Sequence, residues 1–187
     1  MSDDSSVAAA IAEVPAVGFS QLALSGPVLQ ALAEVGYETP SPIQAATIPV
    51  LLEGRDVLGQ AQTGTGKTAA FALPILSKID LGRKSPQALV LAPTRELALQ
   101  VQRELQWLYA KLGARVVSCV GGMNVRVEQR QLSYGCHIVV GTPGRVIDLL
   151  DRRLLQLNDI GFIVLDEVDR MLDIGFREDI RNILSRL

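Results

Sequence analysis

The sequence predicts an α/β fold, a doubly wound parallel sheet with helices on both faces. Short, continuous apolar runs alternate along the chain with longer segments of helical periodicity. Continuous apolar runs, rather than alternating ones, are typical of parallel strands that are buried on both faces. The chain has 187 residues, of which 48% are apolar and 20% charged, so it can form one domain with its own core. This composition excludes disordered and collagen-like chains.

Two helices are predicted ahead of the sheet. The first begins at Ser25-Gly26-Pro27 and runs to about residue 35, where a glycine follows as a stop signal. The second covers residues 43–52, directly after Thr39-Pro40-Ser41-Pro42. Residues 1–17 are rich in Ser, Ala and Asp, and we expect them to form a flexible tail before a domain over residues 18–187.

Five strands are predicted, each followed by a helix. Two of these helices cover residues 67–79 and 95–112, and a final helix is expected to reach the end of the chain. The strands are predicted over residues 56–60, 88–92, 115–120, 137–140 and 161–165.

The formal net charge of −2 conceals an uneven distribution. Residues 1–60 hold seven acidic side chains and one basic side chain, whereas residues 81–153 hold eleven basic and five acidic side chains. A chain with such a basic stretch can present a basic face to a polyanion although its total charge is slightly negative.

Several classes of protein are excluded by composition. No apolar stretch approaches the roughly 20 residues of a membrane-spanning helix, so we expect no membrane partner. Asp3 and Asp4 stand where a secretory leader would be basic. The two cysteines cannot form a disulfide framework, and no Cys/His cluster has metal-ligand spacing. We therefore expect a reduced cytoplasmic protein.

The segment Ala61-Gln62-Thr63-Gly64-Thr65-Gly66-Lys67-Thr68 matches the P-loop pattern, with Ala61 in place of the usual first glycine. Small residues at positions 64 and 66 allow backbone N–H groups to surround phosphate oxygens at a helix N-terminus. Lys67 can then reach the β- and γ-phosphates, and the Thr68 hydroxyl can bind Mg²⁺. The alternative interpretation is a simple glycine-rich turn. It is the weaker one, because the segment lies between a predicted strand and a predicted helix.

A second chemical signal is Asp166-Glu167-Val168-Asp169, which follows the last predicted strand. At that position Asp166 can hold Mg²⁺, largely through water, and Glu167 can orient or deprotonate an attacking water molecule. The alternative interpretation is an acidic helix start that favours the helix dipole.

In its ordered motifs the chain from Phe19 onward resembles the DEAD-box RNA helicases. The P-loop segment is similar to motif I, and Asp166–Asp169 stands in place of motif II. Other matching segments are Gly36-Tyr37-Glu38-Thr39-Pro40-Ser41-Pro42-Ile43-Gln44 (the Q motif, with Phe19 upstream), Pro93-Thr94-Arg95-Glu96-Leu97-Ala98 (motif Ia), Gly121-Gly122 (the GG element) and Thr142-Pro143-Gly144-Arg145 (motif Ib). Residues 60–76 are most similar to bacterial members of the cold-shock DeaD type.

The resemblance implies an N-terminal RecA-like domain that binds ATP and Mg²⁺. Gln44 would read the N6/N7 edge of adenine, Tyr37 would stack on the base and Phe19 would form a wall of the pocket. From the residues alone, the favoured interpretation of Gln44 is that it satisfies backbone groups at a helix N-terminus, and the two aromatic residues could be ordinary packing residues.

The resemblance also implies RNA contacts that do not depend on base sequence. The candidate residues follow predicted strands, where the carboxyl ends of an open sheet face the ligand, and their hydroxyl, N–H and guanidinium groups suit phosphate and 2′-OH groups. Each segment could instead be a simple turn between strand and helix. The candidates are Pro93, Thr94, Arg95, Gly121, Gly122, Thr142, Pro143, Gly144 and Arg145.

Two departures from the family pattern are visible. Val168 stands where the family has Ala, which we expect to change packing rather than chemistry. The family's Ser-Ala-Thr motif and its second RecA-like domain, which carries an arginine finger, would lie beyond Leu187. We therefore expect a monomeric fragment of a longer ATP-dependent RNA helicase, with little ATP hydrolysis alone. The alternatives are a non-catalytic, nucleotide-responsive RNA-binding module and another kind of P-loop ATPase.

Six other residues receive ordinary structural interpretations. Cys119 and Cys136 are expected to be buried thiols, His137 to be a strand residue without a ligand role, and Trp107 to be a packing residue. Arg152 and its neighbour at position 153 are expected to form a solvated helix end, with RNA contact as the alternative.

Overall fold

The computed structural model describes residues 17–62 and 64–187. In these residues four parallel strands form one sheet in the order β2-β3-β1-β4. Leu89 of β1 lies opposite Val139 of β3 on one side and Ile163 of β4 on the other. The parallel sheet predicted from the sequence is confirmed. The strands are β1 (Ala88–Leu91), β2 (Val116–Cys119), β3 (Ile138–Gly141) and β4 (Phe162–Leu165).

From β1 onward the helices alternate with the strands as predicted. A short 3-10 helix, Phe19–Gln21, precedes them, and α4 has the bounds expected from its sequence pattern. The α-helices of the described residues are α1 (Gly26–Val35), α2 (Pro42–Leu52), α3 (Lys67–Lys78), α4 (Arg95–Leu112), α5 (Val125–Ser133), α6 (Pro143–Asp151), α7 (Val168–Ile174) and α8 (Arg177–Leu184). No helix in this described part is long and apolar enough to cross a membrane.

Successive side chains of β1 enter two different cores. Ala88 and Val90 pack in a cluster with residues of α1 to α4, whereas Leu89 and Leu91 pack in a second cluster with residues of α6, α7 and α8. All four side chains are fully buried. Because both faces of the sheet are covered, the doubly wound arrangement is confirmed.

The predicted first strand, residues 56–60, is wrong in this structure. The segment has no regular secondary structure, and Leu58 is 92% exposed. An extended segment becomes a strand only when its N–H and C=O groups pair with a neighbouring strand. In the described residues the sheet consists of β2, β3, β1 and β4, with β4 at one edge, and no strand pairs with residues 56–60.

The predicted final helix is two helices, α7 and α8. Gly175 separates them with a left-handed φ of 105°, and the N–H of Phe176 donates to the carbonyl of Met171 at 3.0 Å. Phe176 then packs against the second core cluster. The predicted tail lies outside the described residues except for Val17, which packs against the first core cluster.

Candidate functional site

All four strands point their carboxyl ends to the same edge of the sheet. Backbone hydrogen bonds between neighbouring strands continue past the strand ends. The N–H of Thr142 donates to the carbonyl of Cys119 at 3.1 Å, and the N–H of Asp166 donates to the carbonyl of Leu91 at 2.9 Å. The segments that follow β1, β2, β3 and β4 therefore start from one rigid edge. This edge is where ligands bind in open α/β sheets.

A cavity of about 430 Å³ lies at the β4 end of this edge. Its volume falls within the range of small-molecule sites. Most of the residues predicted to bind nucleotide line it: Phe19, Tyr37, Gln44, Gly64, Gly66, Lys67, Thr68, Asp166 and Glu167. Gln62 and Thr65 lie outside this lining, and Thr63 lies outside the described residues.

The P-loop has the backbone shape that its glycines predict. Gly64 and Gly66 have φ angles of 79° and 86°, which favour glycine. A Cβ atom on Gly66 would lie only 2.4 Å from Nε2 of Gln44, so the close approach also requires glycine. The Thr65 hydroxyl donates to the Gln62 carbonyl at 2.6 Å and closes the turn. Helix α3 then begins at Lys67 and points its N-terminal N–H groups at the cavity.

Gln44 is buried and links α2 to the P-loop. Its Oε1 accepts from the N–H of Ser41 at 2.9 Å, and its Nε2 donates to the carbonyl of Gly66 at 3.1 Å. The backbone role that the sequence left open is therefore present in the structure. Its role in reading adenine stays a prediction.

The end of the cavity near Thr68 contains a carboxylate that the sequence analysis missed. The Thr68 hydroxyl donates to Oε2 of Glu104 at 2.7 Å, and Oε1 of Glu104 accepts from Nε2 of Gln100 at 2.8 Å. Glu104 comes from the middle of α4, 36 residues further along the chain, and no sequence signal pairs it with Thr68. Only the packing of α4 beside α3 brings the two together.

Asp166 lies in a carboxylate-rich environment. Burial raises the pKa of its side chain, and the negative charges of Glu167 and Glu104 raise it further, whereas the Lys67 ammonium lowers it. Lys67 and Thr68 lie in the same cavity. A hydroxyl and carboxylates are hard oxygen ligands of the kind that suits Mg²⁺, which binds proteins through one or two such groups and keeps several waters. No group of three or more His, Cys, Asp or Glu residues in the described residues could hold a metal ion by itself.

Glu167 has a strained backbone. Its φ of 52° and ψ of 49° place it in the left-handed region, directly between β4 and α7. For a residue with a side chain this conformation costs about 1–2 kcal/mol. Strain of this kind is concentrated at functional sites, and here it occurs at the residue predicted to orient water. The neighbouring Val168 packs against the second core cluster, so the departure from the family pattern is accommodated by packing.

At the other end of the edge, the segments after β1 and β2 meet. Gly122 has a φ of 80°, and a Cβ atom on it would lie 2.8 Å from a guanidinium nitrogen of Arg95. Arg95, Gly121 and Gly122 are exposed, whereas Pro93 is buried. The Thr94 hydroxyl accepts from an N–H of α4 and caps that helix.

The segment Thr142-Pro143-Gly144 follows β3, and its residues differ in exposure. Gly144 is exposed and Pro143 is buried at the first turn of α6. The Thr142 hydroxyl makes no capping hydrogen bond to α6, so its hydrogen-bonding capacity is available to a ligand. The prediction that this segment contacts RNA through Thr142 and Gly144 is compatible with these positions.

Arg145 points into the protein rather than away from it. Its side chain is only 11% exposed and lies 3.2 Å from a carboxylate oxygen of Glu128, which is fully buried. A second guanidinium nitrogen donates to the carbonyl of Met123 at 2.9 Å, and Glu128 accepts from the N–H of Val120 at 2.9 Å. Arg145 and Glu128 therefore connect the loop after β2 to the first turn of α6, the helix after β3. Contact of Arg145 with RNA stays a prediction.

Glu128 is the second residue that the sequence analysis missed. It is one acidic residue in the first turn of α5, within the basic stretch, and its spacing carries no signal. Burial raises the pKa of its carboxyl group, whereas the Val120 N–H and the Arg145 charge lower it.

Trp107 differs from its predicted packing role. Its indole is 38% exposed, lines the cavity and stacks on Tyr37, with ring centroids 5.9 Å apart and planes inclined by 11°. The cysteines behave as predicted: both are buried, and burial raises the pKa of Cys136 to about 12. His137 is buried, and its Nδ1 accepts from the N–H of Arg115 at 2.8 Å.

The fold and the cavity define a P-loop α/β domain. Residues 41–187 match the model of the DEAD/DEAH box helicase family, and the chain belongs to that family. The resemblance stated from the sequence motifs is confirmed.

Relatives and a solved structure agree with this assignment. The chain is 54% identical over 171 residues to the ATP-dependent RNA helicase DeaD of Mycobacterium tuberculosis, and 52% identical over 169 residues to the DEAD-box ATP-dependent RNA helicase CshA of Streptococcus pneumoniae. These matches cover 91% and 90% of this chain but only 30% and 32% of the relatives. The crystal structure of a DEAD box protein from the hyperthermophile Methanococcus jannaschii matches with a TM-score of 0.84 and 37% identity, over 90% of this chain and 46% of that one.

Proposed function

We propose that this chain is the ATP- and RNA-binding domain of an ATP-dependent RNA helicase, which couples ATP binding and hydrolysis to local unwinding of RNA in the cytoplasm. The observation that carries this proposal is the cavity, because it gathers the P-loop lysine, the carboxylates after β4 and the Tyr37 and Gln44 side chains in one place. A P-loop alone would support many NTPases. The combination with Tyr37 and Gln44 favours a site that also selects the base.

Each end of the cavity has a separate role in this proposal. Lys67 stabilises the charge on the transferred phosphoryl group, and Glu167 orients the attacking water and accepts its proton. Thr68 and Asp166 would hold Mg²⁺, which supplies charge neutralisation at the β- and γ-phosphates. Phe19 and Tyr37 enclose the base, and Gln44 selects adenine once its amide turns from the P-loop carbonyl toward the base.

RNA would bind at the adjacent carboxyl ends of β1, β2 and β3. The groups available there are the exposed Arg95 guanidinium, the exposed backbone of Gly121 and Gly122, and the hydroxyl of the partly buried Thr142. These groups bind phosphate and ribose without reading bases. The proposal is therefore sequence-tolerant RNA binding.

Catalysis would require more than this chain. The chain spans about a third of the length of the curated relatives it matches, and we propose that a second RecA-like domain of the full protein supplies an arginine finger. Such a group contributes about 10³–10⁵ in rate. We expect the 187-residue chain to be monomeric, to bind ATP and to hydrolyse it very slowly.

Calorimetric titration of ATP with Mg²⁺ into the chain tests the nucleotide part. We expect Lys67→Ala to weaken binding by more than tenfold, because the phosphate charge loses its partner. Lys78→Ala is the matched control, since Lys78 is an exposed lysine in the last turn of the same helix. Equal affinity for ATP and GTP, unchanged in Gln44→Ala, would contradict this proposal and favour another P-loop ATPase.

RNA binding is tested with a short single-stranded RNA and fluorescence anisotropy at several salt concentrations. We expect Arg95→Ala to reduce affinity and to lower the slope of log affinity against log salt by about one, as expected for one phosphate contact. Arg177→Ala, on α8, is the control for a generic loss of charge. The same RNA added to the full-length protein separates the enzyme from a non-catalytic RNA-binding module, because only the enzyme increases its ATPase rate.

A further inference from the structure

Helix α4 forms a wall of the nucleotide cavity that neither the P-loop nor the Q-motif resemblance includes. Gln100, Glu104 and Trp107 are spaced at four and three residues, so they lie along one face of the helix, and all three line the cavity. Glu104 lies at the end near Thr68. Trp107 lies at the opposite end, against Tyr37.

The contact between Trp107 and Tyr37 is unusual for a packing contact. The two rings are nearly parallel, and both are exposed, Trp107 by 38% and Tyr37 by 50%. A tryptophan that serves mainly as core packing would be more deeply buried. Exposed, parallel aromatic faces beside a cavity are instead the surfaces on which nucleobases stack.

We propose that Trp107 is the second aromatic wall of the base subsite, so that an adenine base is held between Trp107 and Tyr37. This inference rests on the proposed ATP site and assigns to it a residue outside the recognised motifs. Stacked bases in nucleic acids lie about 3.4 Å apart, so a base between two rings needs them about 7 Å apart. At present the two rings stack directly on each other, with centroids 5.9 Å apart, so they have to separate to admit a base.

The surroundings permit this widening. Trp107 and Tyr37 are both partly exposed side chains, so rotation of one ring meets few neighbours. The backbones are held near each other by Lys111, one turn beyond Trp107, which pairs with Glu34 of α1 at 2.6 Å. The side chains can therefore open while α4 and α1 keep their positions.

The chain has a single tryptophan, so its fluorescence reports on this position alone. We expect ATP with Mg²⁺ to change the Trp107 emission, because the indole exchanges a tyrosine neighbour for a purine. Tripolyphosphate with Mg²⁺ occupies the phosphate end without a base, and we expect it to leave the emission unchanged. The reverse pattern, or no change with saturating ATP, would overturn the inference.

Affinities measured by calorimetry give the second test. We expect Trp107→Ala to weaken ATP binding by roughly five- to tenfold, from loss of one stacking face, and to leave tripolyphosphate binding within about twofold. Trp107→Phe should retain most of the ATP affinity. Tyr134→Ala is the matched control, because Tyr134 is an exposed aromatic residue at the C-cap of α5 that lies outside the cavity lining.

The outcomes separate this inference from the proposed function. ATP affinity in Trp107→Ala that equals or exceeds that of the original chain would overturn the inference alone, because Trp107 would then be neutral or a competitor of the base. Failure of the original chain to bind both ATP and tripolyphosphate would overturn the nucleotide site, and the inference with it.

Discussion

The two ends of the functional edge are held together in different ways. Glu128 of α5 and Arg145 of α6 form a buried pair that binds two backbone groups of the loop after β2, the Val120 N–H and the Met123 carbonyl, and so joins this loop to the helix after β3. The nucleotide cavity at the β4 end instead depends on contacts among partly exposed side chains, such as Thr68 with Glu104 and Tyr37 with Trp107.

This difference agrees with the ligands proposed for each end. An RNA backbone has a regular geometry, and groups that bind it benefit from being fixed in advance. A nucleotide site must admit its ligand and release the product, so side chains that can move are useful there. We therefore expect substitutions at the carboxyl ends of β2 and β3, where RNA is proposed to bind, to lower the free energy of unfolding more than substitutions at the cavity.

The largest expected effect is that of Glu128→Ala. The substitution leaves the nearly buried Arg145 guanidinium with only the more distant, partly exposed Asp148 carboxylate at 3.9 Å, and it removes the acceptor of the Val120 N–H. Loss of one partner from a buried ion pair costs about 3–5 kcal/mol. We expect urea unfolding, followed by circular dichroism, to show a decrease of that size in the free energy of unfolding.

Glu178→Ala is the control for this prediction. It removes an exposed ion pair with Arg181, in which both side chains are more than 60% exposed. Such pairs contribute about 0–1 kcal/mol. If Glu128→Ala destabilised the chain no more than Glu178→Ala, the buried pair of Glu128 and Arg145 would not stabilise this region as described.

A second prediction concerns the pH dependence of Arg145→Met. Burial already raises the pKa of Glu128 above its ordinary value, and Arg145 is one of the groups that oppose this rise. Without Arg145 the pKa in the folded state rises further. The folded variant then binds a proton that the unfolded chain does not bind, so its stability is fully present at low pH and is lost as pH rises through the folded-state pKa.

We therefore expect the destabilisation of Arg145→Met, relative to the original chain, to be about 3 kcal/mol at pH 7 and clearly smaller at pH 5. Urea unfolding at the two pH values measures this difference. The double variant Glu128→Gln/Arg145→Met has no carboxyl group at position 128, and its stability difference from the single variant Glu128→Gln should be the same at both pH values. A loss that grows toward acid pH would contradict the burial of this carboxyl group.

Gly66→Ala should have an intermediate effect at the cavity end. Alanine in the left-handed region costs about 1–2 kcal/mol, and the new Cβ would also displace the Gln44 amide, 2.4 Å away. We expect a loss of about 2–3 kcal/mol in urea unfolding. Gly64→Ala has a similar φ but no atom within 4 Å of its Cβ, so it should lose only the conformational part. Equal losses would show that Gln44 does not hold the P-loop.

Much of this molecule could be predicted from the sequence because the signals are local. Glycine at position 66, apolar runs such as that of β1, and the carboxylates after β4 each follow from neighbouring residues and their backbone preferences. The ordered motifs then indicated which of these local features share one edge of the sheet.

The missed features have no local signal. Glu104 and Trp107 reach the cavity because α4 packs beside α3 and α1, and Glu128 is buried beside Arg145 of α6 and the Val120 N–H. Their partners are distant in the sequence or lie on another element, and nothing in the spacing reveals the contact. The prediction of a strand at residues 56–60 failed for a related reason. The apolar pattern of these residues is typical of a strand, but a strand also needs a neighbouring strand to pair with, and the described residues provide none.

The smallest effect is expected in residues 56–60. Leu58 is 92% exposed, so Leu58→Lys should change the free energy of unfolding of this chain by less than about 0.5 kcal/mol. Leu89→Ala, in the fully buried β1, is the reference and should lose about 2–5 kcal/mol. Urea unfolding of both variants measures the contrast between a leucine that belongs to the sheet and one that does not. A loss above about 1.5 kcal/mol for Leu58→Lys would mean that residues 56–60 are packed as a strand, because an exposed side chain has no contacts of that size to lose.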